Sequence, residues 1–270
     1  MTQRAEQILT LAAISAVAWA LCDMTHEVVG HIGVSWLIGL KVSSLSAKGM
    51  ATTDLNASDF GLRLMYMAGT LADAGFGALA LVVVNRLKRP TAAYWFLLLY
   101  GAFGLFNLSY LVTSPLSGSG DWFKAIAGFS PPVVWRWGVM LTGVLLYALS
   151  VRWVAMLLLG AVFAGRIARR DLVLLIGIGY FVASTVQAAA VFANRITPGL
   201  ESPWETALSV IWNQNIGLFI VAYAMLDHLR KELPAAPAPL PVSRAWMIAG
   251  ALTTAVFIGV IGHGLMFVLS

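Results

Sequence analysis

Apolar residues run in long stretches along this chain, and polar ones collect between them. Seven stretches reach the roughly 20 residues that carry an α-helix across about 30 Å of hydrocarbon. They are 8–40, 61–85, 94–113, 132–164, 170–193, 206–229 and 245–268. The pattern predicts an all-α polytopic membrane protein with about seven transmembrane helices. The first and fourth stretches exceed one bilayer thickness, which predicts tilt, a kink or extension into the interface. Arg136 and Arg152 leave room for a break inside the fourth. Residues 41–60 alternate weakly between apolar and polar, predicting a short strand or hairpin against the membrane face after the first helix. Residues 114–131 contain Ser114, Pro115, Gly118, Gly120 and a Pro131-Pro132 pair, and predict a turn-rich loop. Residues 232–243 are rich in proline and predict an extended, semi-rigid linker. That linker divides the chain into a membrane-embedded core of six spans at 1–231 and a C-terminal transmembrane helix at 244–270.

Composition excludes a water-soluble domain. Of the 270 residues, 60% are hydrophobic and 11% charged, where a soluble domain carries about 25% charge. The solvent of this protein is the lipid bilayer. Its net charge of +5 is no nucleic-acid footprint, because the basic residues sit in short loops between spans. One set of loops carries Arg4, Arg86, Lys88, Arg89, Arg166, Arg169, Arg170, Arg230, Lys231 and Arg244; the other carries Lys41, Lys48, Arg63, Lys124 and Arg195. The excess predicts a cytoplasmic N-terminus in a bacterial-type plasma membrane. Leu21 before Cys22 is unlike a lipoprotein cleavage site, and the apolar run outlasts a signal peptide, so the first helix is expected to be retained. Cys22 is the one cysteine, which excludes intrachain disulfides and cysteine-cage zinc sites.

Against this apolar background, His26-Glu27-Val28-Val29-Gly30-His31 stands out. An ionisable group at membrane depth costs about 2.5 kcal/mol or more, so three within six residues mark function. Two imidazoles flanking a carboxylate are the side chains that hold zinc and activate a water. A zincin places its histidines at i and i+4 on one helical face, whereas His26 and His31 are at i and i+5. On a straight α-helix they diverge by about 140°. A π-bulge adds one residue to a turn and realigns them, and Gly30 tolerates such a distortion. A second ligand set, Asp23, Glu27 and His31, shares one face without any distortion. The bulged pair is favoured because it leaves Glu27 free to deprotonate a bound water. Catalytic zinc takes three protein ligands and keeps one position open. The best third ligand is Asp121, whose glycine-flanked loop can fold back into the protein and lies on the same membrane side as the far end of span one.

These residues resemble those of the site-2 protease family of intramembrane zinc metalloproteases. The resemblance covers about residues 20–125: a membrane helix with a His-Glu-x-x-x-His sequence, a strand-like segment, and a later aspartate. It implies that His26, His31 and Asp121 bind Zn2+, that Glu27 activates water, and that Asn107 contacts substrate or transition state. The sequence around the aspartate is Gly120-Asp121-Trp122, where the family has Leu-Asp-Gly. The implied partner is a membrane protein or peptide with its scissile bond in or beside the bilayer. Gln214 and Asn215, in the polar run Trp212-Asn213-Gln214-Asn215, either bind an extended substrate backbone or knit helices together. Two other readings stay open. One is a zinc-dependent lipid amide or ester hydrolase. The other is a non-catalytic relative: a transporter or metal-binding receptor.

Overall fold

The computed structural model describes residues 2–47, 49–52, 57–194, 216–229 and 239–267. Among them, six helices are long and apolar enough to cross a membrane: Gln3–Leu37, Asp59–Arg86, Ala92–Ser117, Pro132–Phe163, Arg169–Ala193 and Arg244–Gly262. The chain is an all-α, multi-pass membrane protein. Five of the seven expected spans agree with these helices to within a few residues. A sixth, 206–229, is described only at its far end, as a helix over Gly217–Leu229. The seventh stops short of its expected end, as set out below.

The first crossing has three parts. Helix α1 (Gln3–Met24) begins where the Thr2 hydroxyl caps the Ala5 amide. It passes into a π-helical segment (Thr25–Ile32) and then into the short α2 (Gly33–Leu37). Hydrogen bonding from i to i+5 in the middle part is the distortion that the histidine spacing calls for. The hairpin expected after this helix is formed by β1 (Val42–Ser46) and β2 (Gly49–Thr52), antiparallel with Leu45 opposite Met50.

Helix α3 (Asp59–Arg86) runs back alongside the π segment. Helix α4 (Ala92–Phe106) continues through a 3-10 turn (Asn107–Ser109) into α5 (Tyr110–Ser117), which tolerates Pro115. The expected loop at 114–131 is therefore largely helical. Gly118 closes α5 with φ +71°, Gly120 turns the chain again at φ +80°, and α6 (Gly120–Ile126) follows. Both conformations lie in the left-handed region that only glycine adopts without strain.

Helix α7 (Pro132–Phe163) is unbroken despite Arg136 and Arg152, because both side chains lie on its exposed side. Its outward face also carries Leu141, Leu145 and Leu149, as hydrocarbon surroundings require. Helix α8 (Arg169–Ala193), α9 (Gly217–Leu229) and α10 (Arg244–Val256) complete the bundle. The last of these packs along α1 and is extended by a π turn, Phe257–Gly262. Here the seventh expected span is corrected. It ends at Gly262, because Gly264 takes φ +92° and sends Leu265–Met266 into a strand, β3. That strand pairs with the free edge of β1, giving the order β2-β1-β3.

A buried glutamine fastens this small sheet to the helices. Gln187 on α8 donates to the Ala47 carbonyl at 3.0 Å and accepts from the Trp19 indole at 3.0 Å. This satisfies a backbone group that hydrocarbon would otherwise leave unpaired. In the linker, residues 232–238 lie outside the described residues. Beyond them, the Leu240 carbonyl accepts from Gln7 and the Ser243 amide donates to Thr10.

The π segment crosses α3 at close range. A Cβ on Gly30 would lie 2.5 Å from the Gly69 Cα and 2.8 Å from the Ala68 carbonyl oxygen. Gly30→Ala must therefore push the two backbones apart. We expect it to lower stability by about 1–3 kcal/mol, the usual cost of overpacking, read as a fall in melting temperature in detergent.

Candidate metal centre

The site lies where the π segment faces α3 and α6. Each histidine has one ring nitrogen committed to a hydrogen-bond acceptor. His31 Nδ1 lies 2.7 Å from the Met65 carbonyl oxygen. A carbonyl only accepts, so this nitrogen carries the proton and donates. His26 Nδ1 lies 2.8 Å from the Asp73 carboxylate and 2.9 Å from the Asn107 amide nitrogen; the amide has Asp73 Oδ2 as its own acceptor, which leaves Nδ1 to donate to the carboxylate. In neutral imidazole, a proton on Nδ1 leaves Nε2 as a lone pair.

Those two lone pairs point at each other. The Nε2 atoms are 3.1 Å apart, and Asp121 Oδ2 lies 3.3 Å from His31 Nε2 and 3.9 Å from His26 Nε2. Three acceptors this close repel unless a cation, either a proton or a metal ion, sits among them. Ligand atoms 2.0–2.1 Å from a tetrahedral zinc stand about 3.3–3.4 Å from one another. Two of the three separations fall near that edge length, and the third is wider by about half an ångström. Residues five apart thus share a focus, which a straight α-helix denies them.

Gly69 on α3 is what lets the two rings come together. A Cβ built on it would lie 2.5 Å from His26 Nε2 and 2.6 Å from His31 Nε2. The absent side chain lets both nitrogens approach the α3 backbone. Among the described residues, His26, Glu27 and His31 form a group compact enough to hold a metal ion, with one ligand atom of each within 4.8 Å of the others. The Glu27 carboxylate is buried, and its Oε2 has no hydrogen-bond partner. A buried carboxylate oxygen without a partner is costly, and this one belongs to a residue of the compact group.

Asp121 reaches the site from the first turn of α6, not from a loop. Its amide donates to the Tyr110 hydroxyl at 3.3 Å, and the next amide but one, of Phe123, donates to the Ser114 hydroxyl at 3.0 Å. The Trp122 indole donates to Thr70 on α3 at 3.1 Å, and Arg63 donates to the Ala125 carbonyl at 2.5 Å. Burial works to raise the Asp121 pKa. In the form where a proton on Nε2 takes the place of the ion, hydrogen bonds and charge from His26 and His31 outweigh that and hold it well below the usual carboxylate range.

Other expected residues fall differently. Asn107, given a substrate contact by the resemblance, is buried in the 3-10 turn, and its amide donates to Asp73. That places it on the Nδ1 side of His26, away from the Nε2 focus. Asp23 is not part of the compact group, although its Oδ2 is buried without a partner. Gln214 and Asn215 lie outside the described residues. Cys22 is buried in the core, its sulfur 3.9 Å from Asp73.

Three contributors on α3 were missed by motif reading. Asp73 is the one charged residue between Arg63 and Arg86, in the middle of an apolar helix, and that isolation is the signal that finds it. Met65, Gly69 and Asp73 recur every four residues along one face of α3. In turn they supply a carbonyl for His31, room for the Nε2 pair and a carboxylate for His26. Comparisons with known protein families, with curated proteins and with solved structures found no match to this chain.

Proposed function

We propose that this protein is an intramembrane zinc-dependent hydrolase that cleaves a peptide bond within or beside the bilayer. One observation carries the reading. The Nε2 atoms of His26 and His31 and a carboxylate oxygen of Asp121 converge within 3.1–3.9 Å, next to the unpartnered carboxylate of Glu27. The resemblance to site-2 proteases supports a peptide as substrate. The distribution of basic loops supports a cytoplasmic N-terminus in a bacterial-type plasma membrane.

His26, His31 and Asp121 would hold the ion. Zinc, when bound, supplies a Lewis acid that acidifies water and polarises a carbonyl. The chain's own groups do the rest. Glu27 Oε2, with no competing donor, takes the proton of the attacking water and delivers it to the leaving nitrogen. Asp121, fixed by Tyr110, Ser114, Thr70 and Arg63 through α6, keeps its carboxylate aimed at the imidazole pair. The surrounding helices exclude bulk water, which strengthens each electrostatic contact within.

The test uses the full chain, purified and reconstituted in liposomes with single-span peptides. We expect about one equivalent of zinc per chain and peptide cleavage that stops with a chelator and returns with zinc. Protein that retains no zinc after chelator-free purification, or cleavage indifferent to zinc removal, would overturn the proposal. Turnover of a lipid amide or ester with intact peptides would select the lipid hydrolase instead.

A further inference from the structure

Asp73 takes no part in the steps above, yet it is the most deeply buried carboxylate of the centre, with 2% of its surface exposed. It stands midway along a transmembrane helix, where an unpartnered charge is strongly disfavoured. Its Oδ2 faces His26 Nδ1 at 2.8 Å and also the Asn107 amide, whose nitrogen lies 2.9 Å from the same Nδ1; with both nitrogens gathered on one acceptor oxygen, each donates to it. Two donors on one oxygen suit an ionised carboxylate acting purely as an acceptor. The two histidines differ here: His31 donates to a neutral carbonyl, whereas His26 donates to a charged group.

We propose that Asp73 is the positioning carboxylate of the metal centre, fixing His26 as the Nδ1–H tautomer and balancing the charge of the bound ion. The inference rests on the metal-centre reading above. Its first part follows from chemistry on opposite edges of one ring. A proton held on Nδ1 by Asp73 obliges Nε2 to present its lone pair to the ion, and the fixed hydrogen bond sets the ring's orientation. Its second part follows from charge. A divalent cation with Asp121 alone leaves one net positive charge in a low-dielectric interior. Asp73 brings the sum to zero in the state in which Glu27 holds a proton. Asn107 completes the arrangement by holding the shared oxygen, a positioning role behind Asp73.

The rival arrangement uses the same contacts: a doubly protonated His26 paired with Asp73 as a structural ion pair. In that form Nε2 carries a proton and cannot bind metal. The two are separated by zinc competition against a chromogenic chelator and by the visible spectrum of the cobalt-substituted full chain in detergent. Asp73→Asn should bind zinc about 10–100-fold more weakly and shift the cobalt bands, and Asp73→Glu should recover part of the affinity. Asn107→Ala, which removes one donor and leaves every charge, should show a smaller loss in the same direction. It decides the matter if Asp73→Asn fails to fold. Wild-type affinity with an unchanged cobalt spectrum in Asp73→Asn, or in Asn107→Ala where it alone folds, would overturn the proposal. If the wild-type chain itself binds neither ion, the metal-centre reading falls first and this one with it. That outcome is distinct from a variant that binds as tightly as wild type.

Discussion

Glu27→Gln is expected to keep its zinc and lose its turnover. Glutamine has the shape of glutamate but cannot accept a proton at neutral pH. The rate should fall by roughly 10²–10⁴-fold, the span usually carried by a general base. Zinc content should stay near the wild-type value, because the converging atoms belong to His26, His31 and Asp121. Elemental analysis and peptide cleavage, measured on the same preparation, check both halves. The pairing also discriminates between ligand sets. Were the ion held by Asp23, Glu27 and His31, the substitution would strip a charged ligand and zinc would be lost along with activity. Full activity in Glu27→Gln would remove the base assignment altogether. The Oε2 atom without a partner argues against a purely structural role, since a carboxylate serving only to join helices would be expected to have a donor.

Parts of this site were legible in the sequence for identifiable reasons. The spans could be read because hydrocarbon imposes both length and apolarity, and a run such as 61–85 meets both demands. The π segment could be read because His26 and His31 sit five apart, a spacing that serves a common ligand only if the helix distorts. Asp121 could be read as a polar group with glycines that let the chain fold back, but not as part of α6. Its helix rests on contacts with Tyr110, Thr70 and Arg63 that no local pattern announces. The hairpin showed in its alternation. Its third strand did not, since Leu265 and Met266 meet Leu45 and Ser44 across nearly the whole chain. Asp73 was overlooked because it pairs with nothing near it in sequence. Only its isolation within an apolar helix betrayed it. Gly69 gave still less, because glycine is common in transmembrane helices and only the crossing with Gly30 reveals what it makes room for.

Gly69→Ala should therefore weaken metal binding without replacing any ligand. The added methyl would lie 2.5 Å from His26 Nε2 and 2.6 Å from His31 Nε2, inside any allowed contact distance. Both rings must turn away or the helices must part, and a metal site tolerates only about 0.2 Å in its ligand distances. We expect zinc affinity to drop by more than about 100-fold, read by competition with a chelator. A general loosening of the helix crossing would mimic this effect, and Gly30→Ala supplies the control. Its methyl would press on the Gly69 backbone and the Ala68 carbonyl instead of the ring nitrogens. If the close approach of Gly69 governs the ion's seat, the two variants lose stability to similar degrees but differ in zinc affinity. Equal affinities in the two would mean that the close approach of Gly69 to the imidazoles is only a packing feature and does not govern the ion's seat.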